Sequence, residues 1–180
     1  MWIEAGNGES GVWNCRSNYL RPILGLVLTA LLVSCASPKP KTDQLIGNWI
    51  CGPYSMKVKN LKITVVDRVK YDPSGKYNEL SDVMIKTADG DQVAMKSTLV
   101  GSWRLDGKII YEKFDRGEIL SSDNPRYSVA SGQKALDAEL FKKNWAKKQV
   151  LELGKRLVVK PVESMYKEAE VVVSCVRPGS

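Results

Sequence analysis

The sequence predicts a mainly β protein, an antiparallel meander that closes on itself, and three observations predict it. Apolar residues recur at every second position, as in Leu61, Ile63 and Val65 with Lys62 and Thr64 between them. Turn-forming clusters separate such runs: Asp72-Pro73-Ser74-Gly75, Ala88-Asp89-Gly90-Asp91 and Leu105-Asp106-Gly107-Lys108, the last two with the Asp-Gly pair favoured in two-residue hairpins. Finally, Gly47-Asn48-Trp49-Ile50-Cys51 finds a counterpart at the far end of the chain in Cys175-Val176-Arg177. An antiparallel register that sets Cys51 opposite Cys175 also sets Trp49 opposite Arg177, so one pairing aligns a disulfide and an Arg-on-Trp contact.

Composition bounds the rest. A chain of 180 residues with 43% hydrophobic content supports one core of ordinary domain size. Its 27 Lys and Arg against 20 Asp and Glu give a formal charge of +7, which favours anionic surfaces such as membrane headgroups, polyanions or acidic partners. No helix-turn-helix, zinc-finger or single-strand-binding signature accompanies the basic residues, so no nucleic-acid partner is expected. Histidine is absent. That removes the Ser-His-Asp and Cys-His arrangements and the commonest zinc ligand, and the expectation is a non-enzyme with no catalytic residues, metal or other cofactor. Asp67, Asp72, Glu79 and Asp82 read as exposed carboxylates beside turns, without a spacing that picks out a catalytic pair.

The N-terminal stretch reads as an address. From Leu20 a basic residue is followed by roughly a dozen mostly apolar ones, the length of a secretory signal and short of the about 20 that a membrane span needs. Leu32-Val33-Ser34-Cys35 resembles the lipobox of bacterial lipoproteins, which implies that residues 1–34 are a signal peptide and that Cys35 becomes diacylglyceryl-modified. Glu4, Glu9, Trp2 and Trp13 precede the apolar run, and an over-called start site would explain them. Residues 35–44 are polar and carry Pro38 and Pro40, a tether extending about 3 Å per residue and holding a domain about 20–30 Å from a bilayer. Ala36 after the cysteine, by resemblance to the lipoprotein sorting pattern, favours the outer membrane, facing the periplasm. With Cys15 removed and Cys35 lipidated, Cys51 and Cys175 remain; two thiols outside the cytoplasm usually pair, the alternative being two buried free cysteines.

The folded domain then spans residues 45–178. After the run Leu61 to Val65, Val83 and Ile85 repeat the alternation, and Val93, Met95 and Leu99 continue it. Gly101 to Leu105 and Lys108 to Phe114 form the clearest hairpin. Residues Gly117 to Tyr127 are turn-rich and predict a long loop. Residues 134–149 lack Gly and Pro and are rich in Ala, Leu, Lys and Glu, which predicts one helix there with Ser131 as its N-cap. Val150 to Leu153, Arg156 to Val162 and Val171 to Arg177 complete the strands.

The string Leu45-Ile46-Gly47-Asn48-Trp49 resembles the Gly-x-Trp entry to the lipocalin and calycin barrels, and Arg177 resembles the Arg those folds pack across that Trp. Gly101-Ser102-Trp103 is similar to the start of a middle strand in bacterial lipocalin-like domains. The resemblance implies an up-and-down antiparallel β-barrel of about eight strands, closed by Gly47, Trp49 and Arg177, whose interior is either filled by its own side chains or holds a small apolar molecule. A helix placed before the final strands departs from the standard lipocalin. The functional expectation is a lipid-anchored, non-catalytic binding protein, with Leu61, Ile63, Val65, Trp103 and Tyr111 facing the ligand. The alternative is an envelope interaction protein meeting an anionic partner through the basic group Lys142, Lys143, Lys147, Lys148, Lys155 and Arg156.

Overall fold

Period-two alternation builds eight strands that pair in chain order and close into an antiparallel barrel. In the computed structural model they are β1 (Gly47–Val58), β2 (Leu61–Tyr71), β3 (Lys76–Lys86), β4 (Gln92–Asp106), β5 (Ile109–Ser122), β6 (Trp145–Leu153), β7 (Arg156–Pro161) and β8 (Val173–Val176). A single turn, α1 (Thr42–Leu45), precedes the barrel, and α2 (Val129–Lys142) lies between β5 and β6. The structure describes residues 41–162 and 171–179. The signal peptide expected over residues 1–34, the expected lipid attachment at Cys35 and the expected tether up to residue 40 lie outside the described residues.

The ends meet as the paired motifs predict. β1 and β8 are antiparallel with Ile50 opposite Val176 and Cys51 opposite Cys175, and the Cys51–Cys175 disulfide is formed. One step further along, the Arg177 guanidinium lies 3.9 Å from the Trp49 ring centre. Its Nη1 donates to the Ile46 carbonyl and its Nη2 to the Gln44 carbonyl, both at 2.7 Å. Trp49 Nε1 donates to the Leu45 carbonyl at 2.8 Å, so the buried indole has no unmet polar atom. Gly47 is required for this packing. Its φ of 115° lies in the region that disfavours side chains, and a Cβ there would collide with the Arg177 guanidinium.

A β-bulge at Gly52 and Pro53 interrupts the β1–β2 register between Cys51 and Tyr54. Gly52 has a φ of 95°, and a Cβ on it would sit 2.7 Å from the Val65 carbonyl oxygen. The bulge exchanges the two faces of the strand. Trp49 and Cys51 point inward before it, whereas Tyr54 and Met56 share the inner face after it, opposite Val65 and Ile63.

Two sequence expectations are corrected. The helix expected over 134–149 runs instead from Val129 to Lys142, and Ser128, not Ser131, caps it by accepting from the Ser131 amide. Beyond Lys142 the chain pairs with β5, Lys113 facing Trp145 and Ile109 facing Gln149. Helix-favouring Ala and Lys residues enter a strand there because a partner strand satisfies their backbone groups and Val150 is buried. The loop expected over Gly117 to Tyr127 is shorter, since β5 continues to Ser122 by pairing Gly117 with Leu99 and Ser122 with Met95. Register shifts in β5 beside Val100 and Lys96 absorb the turn-like composition.

α2 packs on β5, with Leu136 and Leu140 closing over Gly117 and Gly132 lying against Met95. Among the described residues no helix is long and apolar enough to cross a membrane.

Candidate functional site

One end of the barrel interior is sealed by Leu45, Trp49, Tyr71, Tyr77, Trp103 and Ile110, all buried. The rings interlock, Tyr71 lying 5.3 Å from Trp103 and 5.7 Å from Tyr77 between centroids, Tyr77 5.8 Å from Phe114.

Beyond this seal the core becomes polar. Tyr71 donates to Glu112 Oε1 at 2.6 Å, and Lys148 Nζ stands 3.0 Å from the same oxygen and 2.8 Å from Oε2. Only the contact to Oε1 is aligned as a hydrogen bond, which leaves the fully buried Oε2 with the ammonium's charge alone. Asp67 accepts from Tyr54 at its Oδ2 and from Ser81 at its Oδ1, both at 2.7 Å. Tyr77 donates to Glu79, and Ser81 lies 3.2 Å from Glu79 Oε1. Three carboxylates and one ammonium thus share the inner faces of β2, β3, β5 and β6.

Burial and mutual repulsion set their protonation. Glu79 is pushed up to about 7 by burial and by the Asp67 charge, with Lys148 pulling the other way. Burial opposes the charge on Lys148, yet Glu112, Glu79 and Asp67 together hold its pKa above the ordinary lysine value. Tyr54, Tyr71 and Tyr77 are all raised, first by burial and then by the neighbouring carboxylates, and remain neutral donors.

On the side away from the aromatic seal the barrel holds a cavity of about 310 Å³. Val69, Leu99, Phe114, Leu140, Leu157 and Val159 supply apolar wall, while Tyr54, Asp67 and Lys148 present the edge of the polar layer to it. Lys148 keeps 24% of its side-chain surface accessible although its strand position faces inward. The volume is in the range of small-molecule sites.

The sequence-predicted residues distribute unevenly over this geometry. Leu61, Ile63 and Val65 share the inner face of β2 with Asp67, and Trp103 belongs to the aromatic seal; none of the four lines the cavity. Tyr111 stands on the outer face, its ring 3.9 Å beneath the Arg104 guanidinium, because its neighbours Ile110 and Glu112 take the inner positions. Lys148, expected on the basic surface, is turned inward to Glu112. Lys143 and Lys147 line the cavity as well and stand 4.5 and 4.8 Å from the Trp145 ring, and Lys142 pairs with Glu139 at 3.0 Å. Arg156 pairs with Glu152 at 2.8 Å across the β6–β7 turn, and Lys155 is exposed within that turn. Asp67 and Glu79, expected beside turns, lie within β2 and β3, whereas Asp82 is outside between Arg68 and Lys96. The missed signal was parity: Asp67 continues the series Leu61, Ile63, Val65, and a charge in an apolar face is the mark of a polar interior.

Among the described residues no group of His, Cys, Asp and Glu is arranged to hold a metal ion. In comparisons with known proteins no family model matches this chain, and no curated protein matches it.

Proposed function

We propose that the chain is a lipid-anchored envelope protein whose barrel carries a small apolar or amphipathic molecule without altering it chemically. The observation that carries this reading is the cavity of about 310 Å³, which the described side chains leave unfilled inside the barrel. Eight strands enclose just enough room for side chains or for one small ligand, so an unfilled volume of this size is a place for a guest. The Gly47, Trp49 and Arg177 closure supports kinship with the lipocalin and calycin barrels. Leu32-Val33-Ser34-Cys35 supports the anchor, Ala36 supports the outer membrane, and the disulfide suits an oxidising compartment. The chain enters the barrel at Lys41 to Leu45, beside the sealed end. A tether would therefore join that end and leave the cavity, lined by Met56, Leu140 and Pro161, toward the other.

The binding reading is tested by titrating the full chain with N-phenyl-1-naphthylamine, an apolar fluorescent probe. Saturable enhancement at one equivalent is expected, and Leu99→Trp, which fills the cavity wall, should abolish it; enhancement that persists in that variant would sink the reading. The anchor has its own test: Cys35→Ser should move the protein from the membrane to the soluble fraction.

A second reading has a specific observation in its favour. Arg104, Tyr111, Lys147, Trp145 and Lys143 form a continuous cation–aromatic ladder on the outer face, and Phe141 beside it is 94% exposed. Such a face suits an anionic envelope partner. Salt-sensitive binding to anionic vesicles, weakened by Arg104→Glu and Lys142→Glu, is the expected result; binding that ignores both changes counts against it.

A further inference from the structure

The last turn of α2 leaves an aromatic ring in water. Leu136 and Leu140 turn toward Gly117 and line the cavity, whereas Phe141, the next residue, is 94% exposed. Its ring forgoes the gain that burial would bring. A single exposed apolar side chain is ordinary, but this one stands in a group. Trp145 follows it at the start of β6, partly exposed, and the half-exposed Val162 joins β6 by donating its amide to the Lys147 carbonyl at 2.9 Å. Lysines are interleaved with these groups. Lys142 has an exposed side chain, Lys143 stands 4.5 Å from the Trp145 ring, and the exposed Lys113 is opposite Trp145 in the β5–β6 register. The carboxylates beside them are Glu139, paired with Lys142, and Asp137, one turn before Phe141, which accepts from Gln133 at 2.7 Å.

This mixture separates the classes of anionic partner. A soluble polyanion would engage the lysines and stack on Trp145, yet it would gain little from a Phe that stands clear of its neighbours. A protein partner of standard size covers about 800 Å² around a packed apolar centre, and here the apolar groups are separated by cations instead. An anionic bilayer uses every part. Its headgroups attract the ammonium groups, the lysine stems lie along the apolar boundary, the indole takes the interface and the Phe ring enters the acyl region. The formal charge of +7 on the whole chain favours the same approach.

Resting on the reading of this face as one that meets an anionic partner, we propose that the partner is an anionic lipid bilayer, entered by Phe141 and held by Lys113, Lys142 and Lys143 around Trp145. Leu140, Lys143, Trp145 and Lys147 line the cavity too, so the docking corner is also part of the cavity's rim. Docking sets that rim at the headgroup layer, where an apolar guest passes between acyl chains and barrel with little exposure to water.

The test follows the fluorescence of Trp145, taken as the difference between the wild type and Trp145→Phe. The vesicles are phosphatidylcholine brominated near the top of its acyl chains, alone or mixed with phosphatidylglycerol. Quenching of Trp145 reports contact at this corner, whatever holds the rest of the chain to the vesicle. Quenching is expected on the mixed vesicles and little on phosphatidylcholine alone. Lys142→Glu and Phe141→Ser should each reduce it about fivefold or more, while urea unfolding stays unchanged because both side chains are exposed. Wild-type quenching in Phe141→Ser, with loss in Lys142→Glu, would overturn the insertion and leave the anionic-partner reading standing. Equal quenching with and without phosphatidylglycerol would overturn the need for anionic lipid. A response of Trp145 to heparin and none to vesicles would assign the face to a soluble polyanion and overturn the bilayer. No response to either would overturn both readings.

Discussion

Lys148 sits one residue from Lys147 and faces the other way, and the difference decides what each contributes. Lys147 lies over outer-face aromatic rings at 4.8 and 6.0 Å, whereas Lys148 is the cation held among three inner carboxylates. Removing the partner of a buried ion pair costs about 3–5 kcal/mol, while surface substitutions cost far less. Lys148→Met should therefore lower stability at neutral pH by that much in urea unfolding, and Lys147→Met should change it by less than about 1 kcal/mol. Glu79 adds a pH dependence of definite sign. Its folded value of about 7 exceeds the ordinary 4.5, so the stability linked to its proton is whole below 4.5 and is lost as pH rises through about 7. Denaturant unfolding of the wild type should weaken over that window by on the order of 2–3 kcal/mol, and Glu79→Gln should flatten the decline. An unchanged slope in the variant would contradict the assignment. Of these residues Asp67 was legible in principle from its place in an apolar series. The inward turn of Lys148 was not, because Lys147 and Lys148 are chemically identical neighbours, and which of them faces the interior depends on how β6 pairs with β5.

Strands with clear alternation were readable, and those whose boundaries depend on pairing were not. β2 and the β4–β5 hairpin follow the alternation of the sequence, and the β1–β8 register follows from the paired Cys and Trp/Arg positions. The α2–β6 boundary was misjudged because Ala, Lys and Gln favour helix locally, and only pairing with β5 converts Trp145 to Leu153 into a strand. The Gly52-Pro53 bulge likewise carries no periodic signal, yet it decides that Tyr54 reaches Asp67. Ser128 marks the true start of α2 by accepting from the Ser131 amide. Ser128→Ala should cost about 1 kcal/mol in thermal or urea unfolding, whereas Ala135→Gly, inside the helix, should cost a similar amount by a different route, loss of backbone preference. No effect from Ser128→Ala would move the helix start back toward Ser131.

For the barrel as a whole, closure rests on a short last strand. β8 pairs with β1 over two residue pairs and with β7 over four, and the disulfide joins positions 124 apart in sequence. A bond closing so long a loop stabilises by roughly 4–5 kcal/mol in the chain-entropy model. The Cys51→Ser, Cys175→Ser double variant should lose about that much, and a loss under about 1 kcal/mol would show that Trp49 and Arg177 hold the ends unaided. Whether the closed barrel carries a guest is best decided by native mass spectrometry of the protein, purified without added apolar molecules from its own cells. One non-covalent small molecule per chain is expected, released on unfolding and missing from Leu99→Trp. A bare chain mass from freshly prepared wild type, with nothing recovered on organic extraction, would contradict a ligand-carrying barrel.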